Sequence, residues 1–594
     1  MRAFAFGLII VGSSGLPVLA AEPSGPSALI TRGEAVRIAV QSQLSSAPAR
    51  RETDKIALLD YYSAPDRPLL WTDENGLNAR GKAAVGEIAK ADDYGLKASH
   101  YDLPSAEAFN PADAGATDWL AGAELKVSYA VLGYASDARG GRLQPQRLSK
   151  NLDPTLALPE PSEVISAIAI RSDPASYLRS FQPDQPQFEA LRQKLLEIRG
   201  GKPAETPKEA EQVIIPEGPA LKPGVVHAHV ALLRKRLKIE TAPDGDETLY
   251  NADVAAAVKD FQRTSGVRPD GVVGAGTRRI LNGQQPTTRV AGAPSEQVIL
   301  ANMERWRWLP HDLGQLYVTV NIPEFMLRVV EEDEKIHETR VVVGKPHQQT
   351  PVFSDEMETV VFNPYWNVPN SIKQNEIAPY IQQGGGFFGG GYNASAVLAR
   401  HGLRIRGYNG REIDPDSVDW SRVDIRRYEL YMPPGPRNVL GTMKFLFPNS
   451  HDVYMHDTTQ KHFFANSVRA ESHGCMRVQN PDKLATLILS RDQGWDTSRV
   501  ASAVHGSDDN HITLKQKIPV YITYFTMKVN EDGSVSTFRD LYGHDARIIA
   551  ALGGRAVPYD QADEQVAVNE EMRPRKRRRG GDPFNDFTRA LFGF

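Results

Sequence analysis

The single cysteine of the chain has two histidines close to it in sequence. Cys475 lies two residues after His473 and 19 residues after His456. A thiol with an ordinary pKa of about 8.5 is mostly protonated near neutral pH, and an imidazole that accepts its proton makes it a nucleophile. In an extended segment, residues two apart point to the same side. The pattern therefore predicts nucleophilic cysteine chemistry, with either histidine as the base.

The residues around Cys475 suit the same chemistry. Gly474 leaves room for a substrate, and the backbone amides of Gly474 and Cys475 are candidate donors to the oxyanion of a tetrahedral intermediate. Arg477 is expected to point to the same side of a continued strand, where a guanidinium can bind a substrate carboxylate. The further candidate substrate-binding residues are Tyr454, Ser472 and Asn480.

Two other interpretations of this cluster remain open. A lone cysteine is most often a small buried apolar residue. A metal site could use His456, His462, His473 and Cys475, but their spacing matches neither His-Glu-x-x-His nor Cys-x-x-Cys. We therefore expect no metal and no cofactor. His451 and His462 are expected to lie at the surface.

The composition is typical of a globular chain with several domains. The 594 residues are 41% hydrophobic and 24% charged, and about 150 residues per domain would give roughly four units. The formal net charge of −4 gives no reason to expect a nucleic-acid partner. One cysteine excludes a disulfide within the chain.

Residues 1–20 have the three-part pattern of a secretory signal peptide. Arg2 supplies a positive charge, an apolar run follows over residues 3–11, and small residues surround position 20. No later stretch approaches the roughly 20 continuous apolar residues that span a bilayer. We expect a protein that is exported and works outside the cytoplasm, with an uncleaved leader that tethers it as the alternative.

The N-terminal half of the mature chain has the 3.6-residue period of helices. Residues 21–205 predict a helical scaffold domain, for example where Ala123, Val127 and Ala130 share one face. Polar residues rich in glycine and proline predict a linker over 206–222. Residues 223–285 predict three short helices around a small core.

From residue 316 the apolar period changes to two. Alternating runs predict an antiparallel, β-rich domain over residues 295–530, with an inserted cap over 373–440. Residues 545–594 lose this periodicity and include the basic segment 573–579, which predicts a solvated, disordered tail; contact with anionic lipid or a wall polymer is the alternative. The expected fold class is α+β with several domains.

Two sets of motifs resemble known families. Ala257-Val258-x-x-Phe261-Gln262, followed by Gly266, Asp270-Gly271, Gly274 and Thr277, resembles the peptidoglycan-binding repeat. Ser472-His473-Gly474-Cys475-Met476-Arg477, with His456 upstream, resembles the signature of the L,D-transpeptidases. The segments 366–372, 433–438 and 444–449 are similar to those of the large periplasmic subgroup of that family. Asp457 departs from the glycine that follows the histidine in many shorter members.

The resemblance to L,D-transpeptidases implies a reaction on peptidoglycan stem peptides. Cys475 would attack a tetrapeptide donor, release its terminal D-alanine and form a thioester, which an amine on a neighbouring stem converts to a 3→3 cross-link. The family assigns His456 as general base, with His473 assisting or orienting. Water as acceptor would give an L,D-carboxypeptidase, and a protein amine would give an anchoring transferase. A non-catalytic wall-binding scaffold is the alternative from another class. The resemblance also implies acylation by carbapenems.

Overall fold

The chain comprises a helical scaffold, a small helical module and a closed β-sheet that carries a cap. The computed structural model describes residues 31–46, 51–105, 109–200, 213–216, 218–237, 239, 245–264, 270–274, 277–278, 281–282, 295–382, 393–407, 409–506 and 509–557. The predicted signal peptide and the basic segment 573–579 lie outside these residues. Within them, no helix is long and apolar enough to cross a membrane.

The predicted helical scaffold is confirmed over residues 32–199. Its apolar core includes the predicted face of α4, where Ala123, Val127 and Ala130 are buried. A short hairpin, β1 (Thr72–Asp73) and β2 (Gly76–Leu77), packs beside that helix. The helices described in this part are α1 (Arg32–Ser46), α2 (Glu52–Ser63), α3 (Ala79–Ile88), α4 (Ala116–Ala138), α5 (Pro145–Leu148), α6 (Pro161–Ile170), α7 (Pro174–Arg179) and α8 (Pro186–Arg199).

The small module contains α9 (Ala228–Leu237) and α10 (Ala252–Thr264). The expected third helix lies partly outside the described residues. The linker predicted over 206–222 is wrong in its second half, because Ile215 and Leu221 are buried in the module core and Leu221 forms a β-bridge with Val273.

The side chain of Gln262 holds the turn at residues 270–272 of this module. Its side chain is buried, its Nε2 donates to Asp270 Oδ1 at 2.9 Å and to the Val272 carbonyl at 3.0 Å, and its Oε1 accepts from the Gly271 amide at 2.8 Å. Thr277 Oγ1 also donates to the Val272 carbonyl, at 3.2 Å. One amide side chain thus satisfies the polar groups of a turn that would otherwise lose its water.

The β-rich domain is built on nine strands, and a cap of three further strands is inserted between them. The strands from residue 316 to 523 are β3 (Leu316–Asn321), β4 (Met326–Glu331), β5 (Glu334–Gly344), β6 (Phe353–Phe362), the cap strands β7 (Trp366–Asn367), β8 (Arg404–Arg406) and β9 (Glu429–Met432), and then β10 (Met443–Leu446), β11 (Met455–His456), β12 (Ala470–Ser472), β13 (Met476–Val478) and β14 (Asn510–Thr523).

The sheet closes on itself. Its order is β12-β5-β13-β11-β10-β6-β14-β3-β4, and β4 also pairs with β5, which completes a ring of strands around an apolar core. The expectation of antiparallel pairing is wrong at three places, since β3–β14, β11–β13 and β5–β12 are parallel. Parallel neighbours need long connections, and alternation within each strand does not reveal them.

The helices of this half frame the sheet and the cap. They are α11 (Glu296–Trp306), α12 (Asn370–Ile372), α13 (Ala378–Gln382), α14 (Ala394–Arg400), α15 (Pro481–Gln493), α16 (Thr497–His505) and α17 (His544–Leu552), with a late hairpin of β15 (Met527–Val529) and β16 (Val535–Thr537). The tail predicted from residue 545 begins too early, because Ile548 and Leu552 of α17 are buried in the sheet core.

The cap also begins earlier than the predicted residue 373. β7 pairs with β9, so the insertion starts at Trp366. The buried side chain of Asn438 donates to the Pro364 carbonyl at 2.8 Å and to the Pro433 carbonyl at 3.1 Å. These bonds hold together the two places where the chain enters and leaves the cap.

Helix α11 joins the scaffold to the sheet. Its residue Glu296 pairs with Arg199 of α8 at 2.7 Å, and Arg305 pairs with Asp545 of α17 at 2.6 Å. Asn302 accepts from the backbone amides of Thr526 and Met527. The helix is therefore fixed on both sides by charge and by backbone hydrogen bonds.

Candidate active site

A cavity of about 380 Å³ lies between the sheet and the cap. The predicted site residues in its wall are Tyr454, His456, Ser472, His473, Cys475 and Arg477. The cap contributes Trp366, Pro369, Asn370, Ser371, Ile372, Val439 and Leu440. Asn480 is placed elsewhere: it is exposed and directly precedes α15, with a φ of +51°.

Strand register brings three of the polar residues into one row. Strand β11 lies between β10 and β13, with Lys444 opposite His456 and His456 opposite Arg477. The adjacent pairs, Phe445 with Met455 and Met455 with Met476, are buried in the core. Because alternate residues point to opposite faces, this register puts the polar row of Lys444, His456 and Arg477 on the face opposite the core.

Cys475 lies in a bend between β12 and β13. Gly474 has a φ of +118°, a conformation that side chains with a Cβ rarely adopt. The Gly474 carbonyl accepts from Thr350 Oγ1 at 2.7 Å, which fixes the bend from β5's side of the sheet. Glycine is therefore required here by backbone conformation rather than by lack of space.

Ser472 organises the same bend. Its hydroxyl donates to the Cys475 carbonyl at 2.6 Å and accepts from the Gly474 amide at 3.2 Å. The predicted oxyanion donor Gly474 is thus engaged within the chain in this structure, and the Cys475 amide is the other member of the predicted pair.

Tyr454 is the side chain that hydrogen-bonds to the Cys475 sulfur. Its backbone amide and its phenol both favour the thiolate, as does the nearby Lys444 ammonium. Burial outweighs them and raises the pKa of the Cys475 thiol to about 11. The sulfur also lies 3.8 Å from the Asp452 carbonyl oxygen. The thiol is therefore protonated in the free protein.

His456 is neutral for the same reason. Burial, with Arg477 as the next cause, lowers the pKa of His456 to about 3. The Asp457 carbonyl accepts a hydrogen bond from Nδ1, so the ring proton lies on Nδ1 and Nε2 is free to accept one. A neutral imidazole with an unprotonated Nε2 is the form a general base needs.

The Arg477 side chain is fixed by contacts within the protein. Its guanidinium donates to Gln460 Oε1 and lies 5.3 Å from the centre of the Phe463 ring. Burial lowers its pKa to about 10. A cation this desolvated attracts an anionic group more strongly than an exposed one.

Sequence reasoning missed three residues at this site. Glu376 of the cap accepts from His473 Nε2 at 2.7 Å, and no motif signalled it. Lys444 lies opposite His456, which only the strand register reveals. His451, predicted at the surface, lines the cavity and lies 3.0 Å from Asp153 Oδ2 of the scaffold. His462 is exposed, as predicted.

Asp457 fills a space that depends on Gly441. Its Oδ2 accepts from the Thr442 amide at 3.0 Å, and its other oxygen accepts from Lys461. A Cβ at Gly441 would lie 2.2 Å from Oδ2. The aspartate found here in place of the glycine of many shorter family members therefore fits because Gly441, just before the neighbouring strand β10, has no Cβ.

The described residues contain no group of three His, Cys, Asp or Glu side chains that could hold a metal ion. The cavity wall contains one thiol, the three imidazoles of His451, His456 and His473, and the Arg477 guanidinium, with Lys444 opposite His456 in the sheet.

We predict that alkylation of Cys475 by iodoacetamide is slow near neutral pH and accelerates with pH. With a thiol pKa of about 11, the rate constant should rise about a hundredfold from pH 7 to pH 9. Tyr454→Phe should slow the reaction further because the sulfur loses a donor, whereas Tyr431→Phe in the cap should not. A rate constant that is the same at pH 7 and pH 9 would contradict this.

Gly441→Ala should destabilise the protein more than Gly494→Ala. Both glycines have positive φ, +62° and +71°, but a Cβ at Gly494 meets nothing within 4 Å. The difference between the two losses in the free energy of unfolding therefore measures the collision with Asp457, which we expect to cost about 1–3 kcal/mol. In urea unfolding, Asp457→Gly should recover part of the Gly441→Ala loss; equal losses at the two glycines would exclude the collision.

Three parts of the chain match known protein domains. Residues 315–506 match the L,D-transpeptidase catalytic domain, residues 227–281 the "Putative peptidoglycan binding domain", and residues 56–195 the "Scaffold domain". A Haemophilus influenzae protein named "Putative L,D-transpeptidase" is 29% identical over 253 residues, which are 42% of this chain and 49% of that protein. The match thus spans about half of the relative's length.

Two solved structures resemble parts of the chain. An L,D-transpeptidase from Xylanimonas cellulosilytica is 15% identical, covers 52% of this chain and 99% of its own, and has a TM-score of 0.16. A fused zinc-dependent amidase/peptidase/peptidoglycan-binding domain-containing protein from Clostridium acetobutylicum is 12% identical, covers 52% and 100%, and has a TM-score of 0.13.

Cys475, its neighbouring histidines and the polar row all lie within the residues 315–506 that match the L,D-transpeptidase catalytic domain. The chain therefore carries a catalytic domain of the L,D-transpeptidase family, together with a peptidoglycan-binding domain and a scaffold domain.

Proposed function

We propose that this chain forms 3→3 cross-links between peptidoglycan stem peptides by way of a thioester on Cys475. The observation that supports this most is one cavity that holds Cys475, His456 and His473 beneath the cap. The peptidoglycan-binding domain supplies a second contact with the polymer. A substrate of this kind lies outside the cytoplasm, in agreement with the signal peptide proposed from residues 1–20.

In the first half-reaction the Cys475 sulfur forms a bond to the carbonyl carbon between stem residues three and four. The thiol proton passes to His456 Nε2 as that bond forms, because neither the thiolate nor the imidazolium is favoured in the free site. The Cys475 amide donates to the developing oxyanion. The C–N bond then breaks, and D-alanine leaves with the proton from His456.

In the second half-reaction an amine of a neighbouring stem attacks the thioester. Nitrogen bonds to the carbonyl carbon, the C–S bond breaks, and the amine proton returns to the sulfur through the imidazole. One amide replaces another, so no nucleotide is consumed. A strained β-lactam offers the same kind of carbonyl to the same sulfur, and acylation by carbapenems belongs to this proposal.

The two cations beside His456 suit a donor that carries carboxylates. Lys444 and Arg477 lie on either side of His456 in the sheet, and burial lowers the pKa of both. Bringing a carboxylate to these desolvated cations compensates part of the cost of their burial. We propose that they bind the stem peptide's anionic groups.

His456→Ala should lower formation of cross-linked dimer from purified disaccharide-tetrapeptide by at least about a hundredfold, because general-base assistance contributes about that much. His462→Ala is the matched control, since His462 is exposed and six residues away. Products are counted by liquid chromatography and mass spectrometry, with released D-alanine measured in parallel.

The same assay separates the acceptors. Cross-linked dimer with one D-alanine released per link supports the proposal. Tripeptide and D-alanine without dimer would identify an L,D-carboxypeptidase instead. Equal rates for His456→Ala and wild type would exclude His456 as the base.

A further inference from the structure

We propose that Glu376 of the cap is a positioning residue that sets the tautomer of His473; this inference rests on the proposed function and deepens it. Glu376 Oε1 lies 2.7 Å from His473 Nε2. An ionised carboxylate only accepts hydrogen bonds, so Nε2 must carry a proton. Nδ1 is then the ring nitrogen that can accept a proton within the cavity that His473 lines.

The pair is sheltered and incompletely satisfied. The side chains of Glu376 and His473 are only 14% and 21% exposed. Glu376 Oε2 is buried, and no described residue hydrogen-bonds to it. A carboxylate whose second oxygen lacks a partner is unfavourable for folding alone, so its position beside His473 is better explained by a role in the reaction.

Local backbone structure also singles out this residue. Glu376 lies in a π-helical turn, Lys373–Ile377, between α12 and α13. π-Helical turns are rare and are concentrated at functional sites. The turn is anchored on its other side, where the buried Lys373 Nζ donates to the Tyr428 carbonyl at 2.9 Å. Glu376 is therefore presented by a fixed segment of the cap.

The cap reaches the reactive groups at a second point. The Trp366 side chain hydrogen-bonds to the Tyr454 phenol, and that phenol hydrogen-bonds to the Cys475 sulfur. One part of the cap thus contacts the thiol through Tyr454, and another contacts His473 through Glu376. The positions of the Cys475 thiol and the His473 ring therefore depend on the cap being packed against the sheet.

The test compares the tautomer of His473 in full-length wild type, Glu376→Gln and Glu376→Met by ¹⁵N NMR of labelled histidine. His473→Asn identifies the resonance. Glutamine keeps an oxygen that can accept from Nε2–H, so we expect it to keep the wild-type tautomer, whereas methionine has a similar length and no comparable acceptor. Loss of the Nε2–H form in Glu376→Met alone supports the proposal.

Kinetics with the tetrapeptide donor supply the second readout. For Glu376→Met we expect kcat to fall about 10- to 100-fold, because the His473 ring is misplaced. KM should be nearly unchanged, because binding of the tetrapeptide donor is not affected. Glu376→Gln should recover most of that loss. Glu412→Gln is the matched control: Glu412 is also a cap carboxylate that accepts from a ring, but from Tyr431 within the cap.

The proposal is overturned if Glu376→Met retains both the Nε2–H tautomer and the kcat of Glu412→Gln. It is equally overturned if Glu376→Gln and Glu376→Met lose activity alike with an unchanged tautomer, since that pattern indicates a merely structural carboxylate. The NMR comparison needs no turnover, so a wild-type protein without transpeptidase activity would refute the proposed function and still decide whether Glu376 sets the tautomer.

Discussion

The site depends on the register of one very short strand. β11 contains only Met455 and His456, yet it pairs with β10 on one side and β13 on the other. A shift of one residue would turn His456 into the core and Met455 into the cavity. The buried partners Phe445 and Met476 oppose that shift because they pack with Met455. The apolar side of the sheet thus fixes the position of the polar side.

Desolvation gives the cavity its resting state. Burial keeps Cys475 protonated and His456 neutral, although Tyr454 and Lys444 favour the thiolate. In the proposed reaction, the protonated thiol is a weak nucleophile until a substrate carbonyl is in place, and the developing negative charge is then stabilised by backbone donation. The cap contacts two of these side chains directly, Tyr454 through Trp366 and His473 through Glu376, so one inserted element touches the surroundings of both the thiol and an imidazole.

Local sequence patterns predicted the individual strands, the buried helix faces and the short motif around Cys475. Alternating apolar residues located β3 and β4, and helical spacing located the buried face of α4. Cys475, both histidines and Arg477 were singled out from a short motif, and the four residues line one cavity. Glu376 was not predictable, because it lies 97 residues from His473 and only the packing of the cap joins them. The predicted boundaries of the linker and the tail were wrong for a similar reason. Ile215 and Ile548 lie in segments without a regular apolar period, and only the tertiary structure shows that they are buried in a core.

The most direct test of the account is the intact mass of the full-length protein after incubation with purified disaccharide-tetrapeptide. The account predicts an adduct on wild type equal to the donor minus D-alanine, absent from Cys475→Ala and removed when an amine acceptor is added. No adduct from the donor, and none from a carbapenem, would contradict a thioester on Cys475 and leave a wall-binding scaffold as the better description of this chain.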